Sequence, residues 1–153
     1  MEQTKQIRTR SEIPQEDKWA IEDLYVTEEA WEAEFTELPR AQAELAAFDG
    51  RLSESADMLL KYLERSEQLD VMLSKLGNYC MRRADEDTRV AAFQAMTGKF
   101  TSGVVALGAA TSFDTPQIMA IPEDTLEQFY RDCPKLERYR RYLTNLCRRK
   151  AHT

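Results

Sequence analysis

The only imidazole in these 153 residues is His152, the second-last residue. A metal centre built on two or more histidines, or a histidine base in mid-chain, is thereby excluded from this stretch. Three thiols remain as candidate ligands or nucleophiles: Cys80, Cys133 and Cys147. They form no CxxC pair, and each stands at or near an apolar position of a helical pattern, where a free cysteine acts as a small hydrophobe. A nucleophilic thiol needs a neighbouring base, and the sequence offers none. The acidic run Asp85-Glu86-Asp87 could attract a hard cation, but it lacks the alternating oxygen ligands and the glycine of a calcium loop. Helix capping is its expected role. His152 follows a basic segment at an open chain end and is expected in solvent. No catalytic, cofactor-binding or metal-ligating residue is therefore assigned to this chain.

The remaining chemistry lies in the charge distribution. The net charge of -6 conceals a gradient: residues 1–50 hold thirteen acids against five bases, and residues 131–153 hold eight bases against two acids. A basic tail beside Tyr139 and Tyr142 could engage RNA or an acidic partner, since Lys and Arg displace phosphate counterions and tyrosine rings stack on bases. The same residues also fit an ordinary amphipathic helix. Arg138, Arg141, Asn145, Arg148 and Arg149 fall on one face, and Leu136, Tyr139, Leu143, Leu146 and Cys147 on the other. Cations near a helix C-terminus also oppose the negative end of its dipole.

Length and composition determine what can position these groups. At 17.7 kDa, 42% apolar and 31% charged, with negative mean hydropathy, the chain has the make-up of a soluble globular domain with one core. Only five Gly and five Pro occur, and β-branched runs are scarce, so an all-α bundle of about six to eight helices is expected. The longest uncharged run, Phe100 to Phe113, has fourteen residues, short of the roughly 20 that span a bilayer. An odd number of cysteines and no apolar segment after Met1-Glu2-Gln3-Thr4 suggest a reduced, cytoplasmic setting.

Along the chain, residues 1–11 look like a flexible leader and the domain occupies 12–153. Glu12 to Tyr25 is expected to form an irregular apolar strap. Thr27 should cap a helix reaching about Ala47, broken near Leu38 by Pro39 and closed by Gly50. Ser53 or Ser55 should cap the next helix, which can run on through Leu69, Leu76, Tyr79 and Cys80, with Gly77 as a weak point. The helix from about Thr88 to Ser112 has a large face, Phe93, Met96, Phe100, Val104 and Leu107. Its opposite face is small: Ala91, Ala95, Gly98, Ser102, Ala106 and Ala109. Burial between two partners is the expectation. Pro116, Pro122 and Pro134 should each open a short helix. Trp19, Tyr25, the face around Val71 and Met81, and Phe113 lie off the main stripes; some of them are expected to cover surface that further polypeptide would bury, so the isolated segment is expected to self-associate or to be only marginally stable.

Several segments in order resemble the N-terminal region of oligoendopeptidase F. They are Glu12-Ile13-Pro14, Trp19 to Tyr25, Trp31, Leu45 to Gly50, Asp85-Glu86-Asp87-Thr88 and Ile118 to Glu123. Tyr139-Arg140-Arg141-Tyr142-Leu143 and Lys150-Ala151-His152-Thr153 complete the set, which covers nearly all of residues 12–153. The family is of the thimet-oligopeptidase type, zinc metallopeptidases that cut oligopeptides inside a mostly helical shell. The resemblance implies a non-catalytic N-terminal lobe that walls the substrate channel. Its partners would be the catalytic domain of the same protein and oligopeptide substrates. The His-Glu-x-x-His motif and the zinc belong to the C-terminal part of such proteins, and none of that motif occurs here. The alternative reading is a stand-alone helical interaction module that binds an acidic partner or RNA through the basic last helix.

Overall fold

A computed structural model describes Arg8 and residues 10–149. The described residues form seven α-helices and four short 3-10 turns, with no strand. The expected all-α class and helix number hold. Two of the 3-10 turns, Gln15–Asp17 and Ile21–Asp23, lie in the expected strap, and a third, Arg10–Glu12, begins within the expected leader. Most of the expected leader, residues 1–7 and 9, lies outside the described residues, as do Lys150 to Thr153 with His152.

The described residues gather into two compact units: those up to residue 36 with 74–102, and residues 37–73 with 103–149. Helices α3 (Ala56–Glu86) and α4 (Ala91–Ala110) each contribute to both.

In the first unit, α1 (Glu28–Phe35) starts where Thr27, in extended backbone, accepts the Ala30 N–H at 3.2 Å through its hydroxyl. Two acids in its first turn complement the positive end of the helix dipole. The core gathers on Trp31, wholly buried, whose indole Nε1–H donates to the Leu76 carbonyl at 2.9 Å. Phe35 stacks on Trp31 at 5.0 Å, and Tyr25 meets Tyr79 edge-on at 5.2 Å. Tyr25 is thus a core residue, 5% exposed, and not free surface as its place off the stripes suggested; the strap carries it inward while leaving Trp19 61% exposed. Gly77, read from sequence as a weak point, is where the ring of Phe100 comes against α3: a Cβ there would sit 2.8 Å from Phe100 Cζ. Thr97 on α4 also donates its hydroxyl to the Cys80 carbonyl at 3.3 Å.

In the second unit, α2 (Leu38–Ala46) begins after the break, with Pro39 in its first turn, where the missing N–H costs no hydrogen bond. The chain turns at Gly50, whose φ of +75° is open to glycine at little cost. Gln117 then fastens this turn: its Oε1 accepts the Gly50 N–H at 3.0 Å, and its amide nitrogen donates to Asp49. Ser55 accepts the Met58 N–H at 3.1 Å and so caps α3. Helices α5 (Asp114–Ala120), α6 (Glu123–Asp132) and α7 (Arg140–Arg149) follow, with the turn Pro134–Tyr139 between the last two. Pro134 opens its element as expected, whereas Pro122 stands one residue before α6 and Pro116 two residues inside α5. Leu59, Ile118, Leu136 and Leu143 are fully buried and form the centre of this core.

Helix α4 departs from expectation. Its Phe100 and Leu107 are buried, each 7% exposed, but Ala91, Ala95, Gly98, Ser102, Ala106 and Ala109 all face solvent, so the helix is covered on one side only. Small residues permit close approach without requiring it, and that is why the sequence alone overstated the burial.

Candidate functional site

The groups that the sequence offered for chemistry are satisfied locally. In the acidic turn, Asp87 accepts two hydrogen bonds from the Arg89 guanidinium, at 2.8 and 2.7 Å, and one from the Arg89 backbone N–H. Those bonds hold its carboxyl down at about 2. Asp85 pairs with Arg82 at 3.1 Å, and Glu86 with Arg83 at 3.2 Å and with Arg10. Each carboxylate has its own arginine. Asp87 follows α3 and turns the chain toward α4.

Cys80 and Cys133 are buried and Cys147 is half-buried, and none of the three is joined in a disulfide. Burial pushes the Cys80 thiol up, away from the reactive thiolate. Among the described residues no three His, Cys, Asp or Glu side chains come together where a metal ion could be held. This donor set does not fit the zinc that the resemblance places in the wider protein, and no zinc chemistry is routed through these residues. The basic end is partly spent on internal pairs: Arg138 binds Glu67, and Arg140 binds Glu127 and Glu137, the latter at 2.7 Å. Arg140 also lies over the Tyr130 ring at 3.9 Å.

The most chemically varied concavity was not foreseen. In the second unit a cleft of about 210 Å³ is lined by Tyr62, Ser66, Glu67 and Asp70 of α3, Asp114 of α5, and Tyr139 and Tyr142. Tyr62, Ser66 and Asp70 stand four residues apart and so share one face of α3. Tyr62 donates to Asp114 at 2.8 Å, and Tyr139 donates to Glu67 at 2.8 Å. Burial and the accepting carboxylates raise both phenols, Tyr139 to about 12. Both are therefore protonated donors at neutral pH and cannot serve there as bases. Burial, with Glu67 nearby, also raises Asp70. The cleft offers hydrogen-bond donors and carboxylate acceptors, without an activated nucleophile. The four-residue spacing of Tyr62, Ser66 and Asp70 is a signal the sequence carries, but their meeting with residues 114, 139 and 142 depends on the tertiary fold.

A second concavity, about 330 Å³, lies along α6 and α7 and is lined by Leu126, Glu127, Tyr130, Thr144, Cys147 and Arg148 among others. No single helix among the described residues is long and apolar enough to cross a membrane.

Comparison with known proteins gives a consistent relationship. The sequence model of the family described as Oligopeptidase F matches residues 117–153. Oligopeptidase PepF of Bacillus subtilis (strain 168) is 30% identical over 147 residues, which are 96% of this chain and 22% of that protein. The plasmid oligoendopeptidase F of Lactococcus lactis subsp. cremoris is 30% identical over 149 residues, 95% of this chain and 24% of its own length. Among solved structures, a putative peptidase from Chlamydophila abortus superposes with a TM-score of 0.81 at 27% identity, over 97% of this chain and 25% of that one. Oligoendopeptidase-F from Enterococcus faecium shares the fold, with a TM-score of 0.73 over 82% of this chain. The chain thus spans about a quarter of the length of the relatives it matches, and it is similar to the N-terminal part of oligoendopeptidase F.

Proposed function

We propose, from this similarity, that the chain acts as the helical N-terminal lobe of a zinc-dependent oligoendopeptidase that cleaves short peptides. The observation that carries the reading is coverage: nearly all of this chain is matched, and in each relative the match takes up only about a quarter of the protein. A segment that is a quarter of a peptidase, has a helical fold and contributes no histidine pair fits a wall of the peptide channel better than its reactive centre. In the whole protein, zinc held by a His-Glu-x-x-His segment would supply the Lewis acid and the activated water. The residues described here would shape the enclosure, admit short unfolded peptides and exclude folded ones.

The test is to read the coding sequence beyond Thr153 and assay what it encodes. An in-frame continuation carrying His-Glu-x-x-His, with zinc-dependent hydrolysis of a quenched fluorescent oligopeptide, is the expected result. A stop codon, together with zinc-independent binding of RNA or an acidic protein by the basic last helix, would replace this reading with that of an interaction module.

A further inference from the structure

We propose that the last two turns of α4, residues 103–110, form the face on which the other three quarters of an oligoendopeptidase F-type polypeptide docks. The proposal rests on the reading above and adds to it a location. The segment Gly103-Val104-Val105-Ala106-Leu107-Gly108-Ala109-Ala110 has no polar side chain. Leu107 is 7% exposed and faces the core, whereas Val105 is 68% and Val104 37% exposed. Ala106, Gly108 and Ala109 also face solvent, and a Cβ built at Gly108 meets nothing within 4 Å.

Such a surface has no use for a helix that remains in water. Valine is a poorer helix former than lysine or glutamate, so a charged residue at 105 would favour both the helix and its solubility. What Val105 provides is an apolar knob, and the alanines and Gly108 beside it let another backbone come close.

The character of the face narrows the occupant. From Phe100 to Phe113 there is no charge, so neither RNA nor an acidic protein finds a counter-charge here. The face is one side of two helical turns, small beside the roughly 800 Å² per partner that separate proteins bury in a stable complex. A second copy is therefore a poor fit. In the relatives the matched quarter is joined to the remainder in one chain. A covalent link presents the remainder at an effective concentration of about millimolar, at which a small neutral face suffices.

The experiment compares this chain alone with the same chain set in place of the matched segment of the Bacillus subtilis relative. Both carry Val105→Cys, and alkylation at residue 105 is followed by peptide mapping, which separates it from Cys147. Slowing of alkylation by tenfold or more in the joined protein is expected. In a second pair, Val105→Asp should leave the unfolding midpoint of the isolated chain unchanged and lower that of the joined protein. Equal alkylation rates in a joined protein that unfolds in one transition would overturn the docking face and leave the peptidase reading intact. A joined protein that unfolds in two independent transitions and hydrolyses no peptide would remove that reading, and this proposal with it.

Discussion

Replacing Gly77 with alanine sets two opposed effects against each other, and the structure decides between them. In an open helix the change is worth about 1 kcal/mol in favour of alanine. Here the new methyl would lie 2.8 Å from Phe100 Cζ and 2.9 Å from Cε1, inside van der Waals contact with a ring that is only 7% exposed. Forcing an extra carbon into a filled contact costs about 1–3 kcal/mol, so a net loss of about 1 kcal/mol is expected. At a urea m-value of about 2 kcal/mol per M, that lowers the midpoint of far-UV ellipticity by about 0.5 M. The control is a second background. With Phe100→Leu the side chain ends short of the ring tip, the clash disappears, and Gly77→Ala should become stabilising by up to about 1 kcal/mol. A reversal of sign between the two backgrounds is the signature of this contact. If Gly77→Ala raises the midpoint with Phe100 present, or shifts it equally in both backgrounds, the close approach of the Phe100 ring to α3 is not what holds this position as glycine.

Trp31→Phe should cost about 2 kcal/mol through the lost indole bond to Leu76 and the void left behind, and the remaining emission, from exposed Trp19, should move to longer wavelength; an unchanged spectrum would contradict the burial of Trp31. Ala95→Leu and Ala106→Leu should each change stability by no more than about 0.5 kcal/mol, because both positions face solvent and leucine is a good helix former; losses near 2 kcal/mol in denaturant titrations would restore the sequence-based picture of a helix covered on both sides. The Asp87 carboxyl titrates at about 2 when folded against an ordinary 3.8, so it stabilises the fold above about pH 4 and loses that contribution as pH falls through about 2. The thermal midpoints of the wild type and Asp87→Asn should therefore differ at neutral pH and converge below about pH 2, and a difference that persists in acid would refute the assignment.

What could be read from sequence was what is decided locally. Thr27, Ser55, Pro39 and Gly50 do their work within a few residues, through a capping oxygen, a missing donor or a positive φ, and each acts as the local rule predicts. The partners of a helix face are not encoded that way. The small side of α4 and Gly77 both consist of residues that allow contact; one faces water and the other a phenylalanine ring. Tyr25 looked like spare surface because its stripe is short, yet it fills the space beside Tyr79. The cleft around Tyr62 needs three segments far apart in sequence, at residues 62–70, 114 and 139–142, and no periodicity links them.

The bonds from Arg138 and Tyr139 to Glu67 join residues 71 and 72 apart, and the described part of the second unit draws on chain as far as residue 149. On a ribosome adding about 5–20 residues per second, Glu67 emerges roughly 4–14 seconds before its partners exist. The first unit has all its segments once Ser102 is made. The order of synthesis therefore divides assembly in time: the first unit can close early, while in the second Tyr62 waits for Asp114, and Glu67 for Arg138 and Tyr139, to be made. That interval is when the nascent second unit is most open to aggregation or to a chaperone.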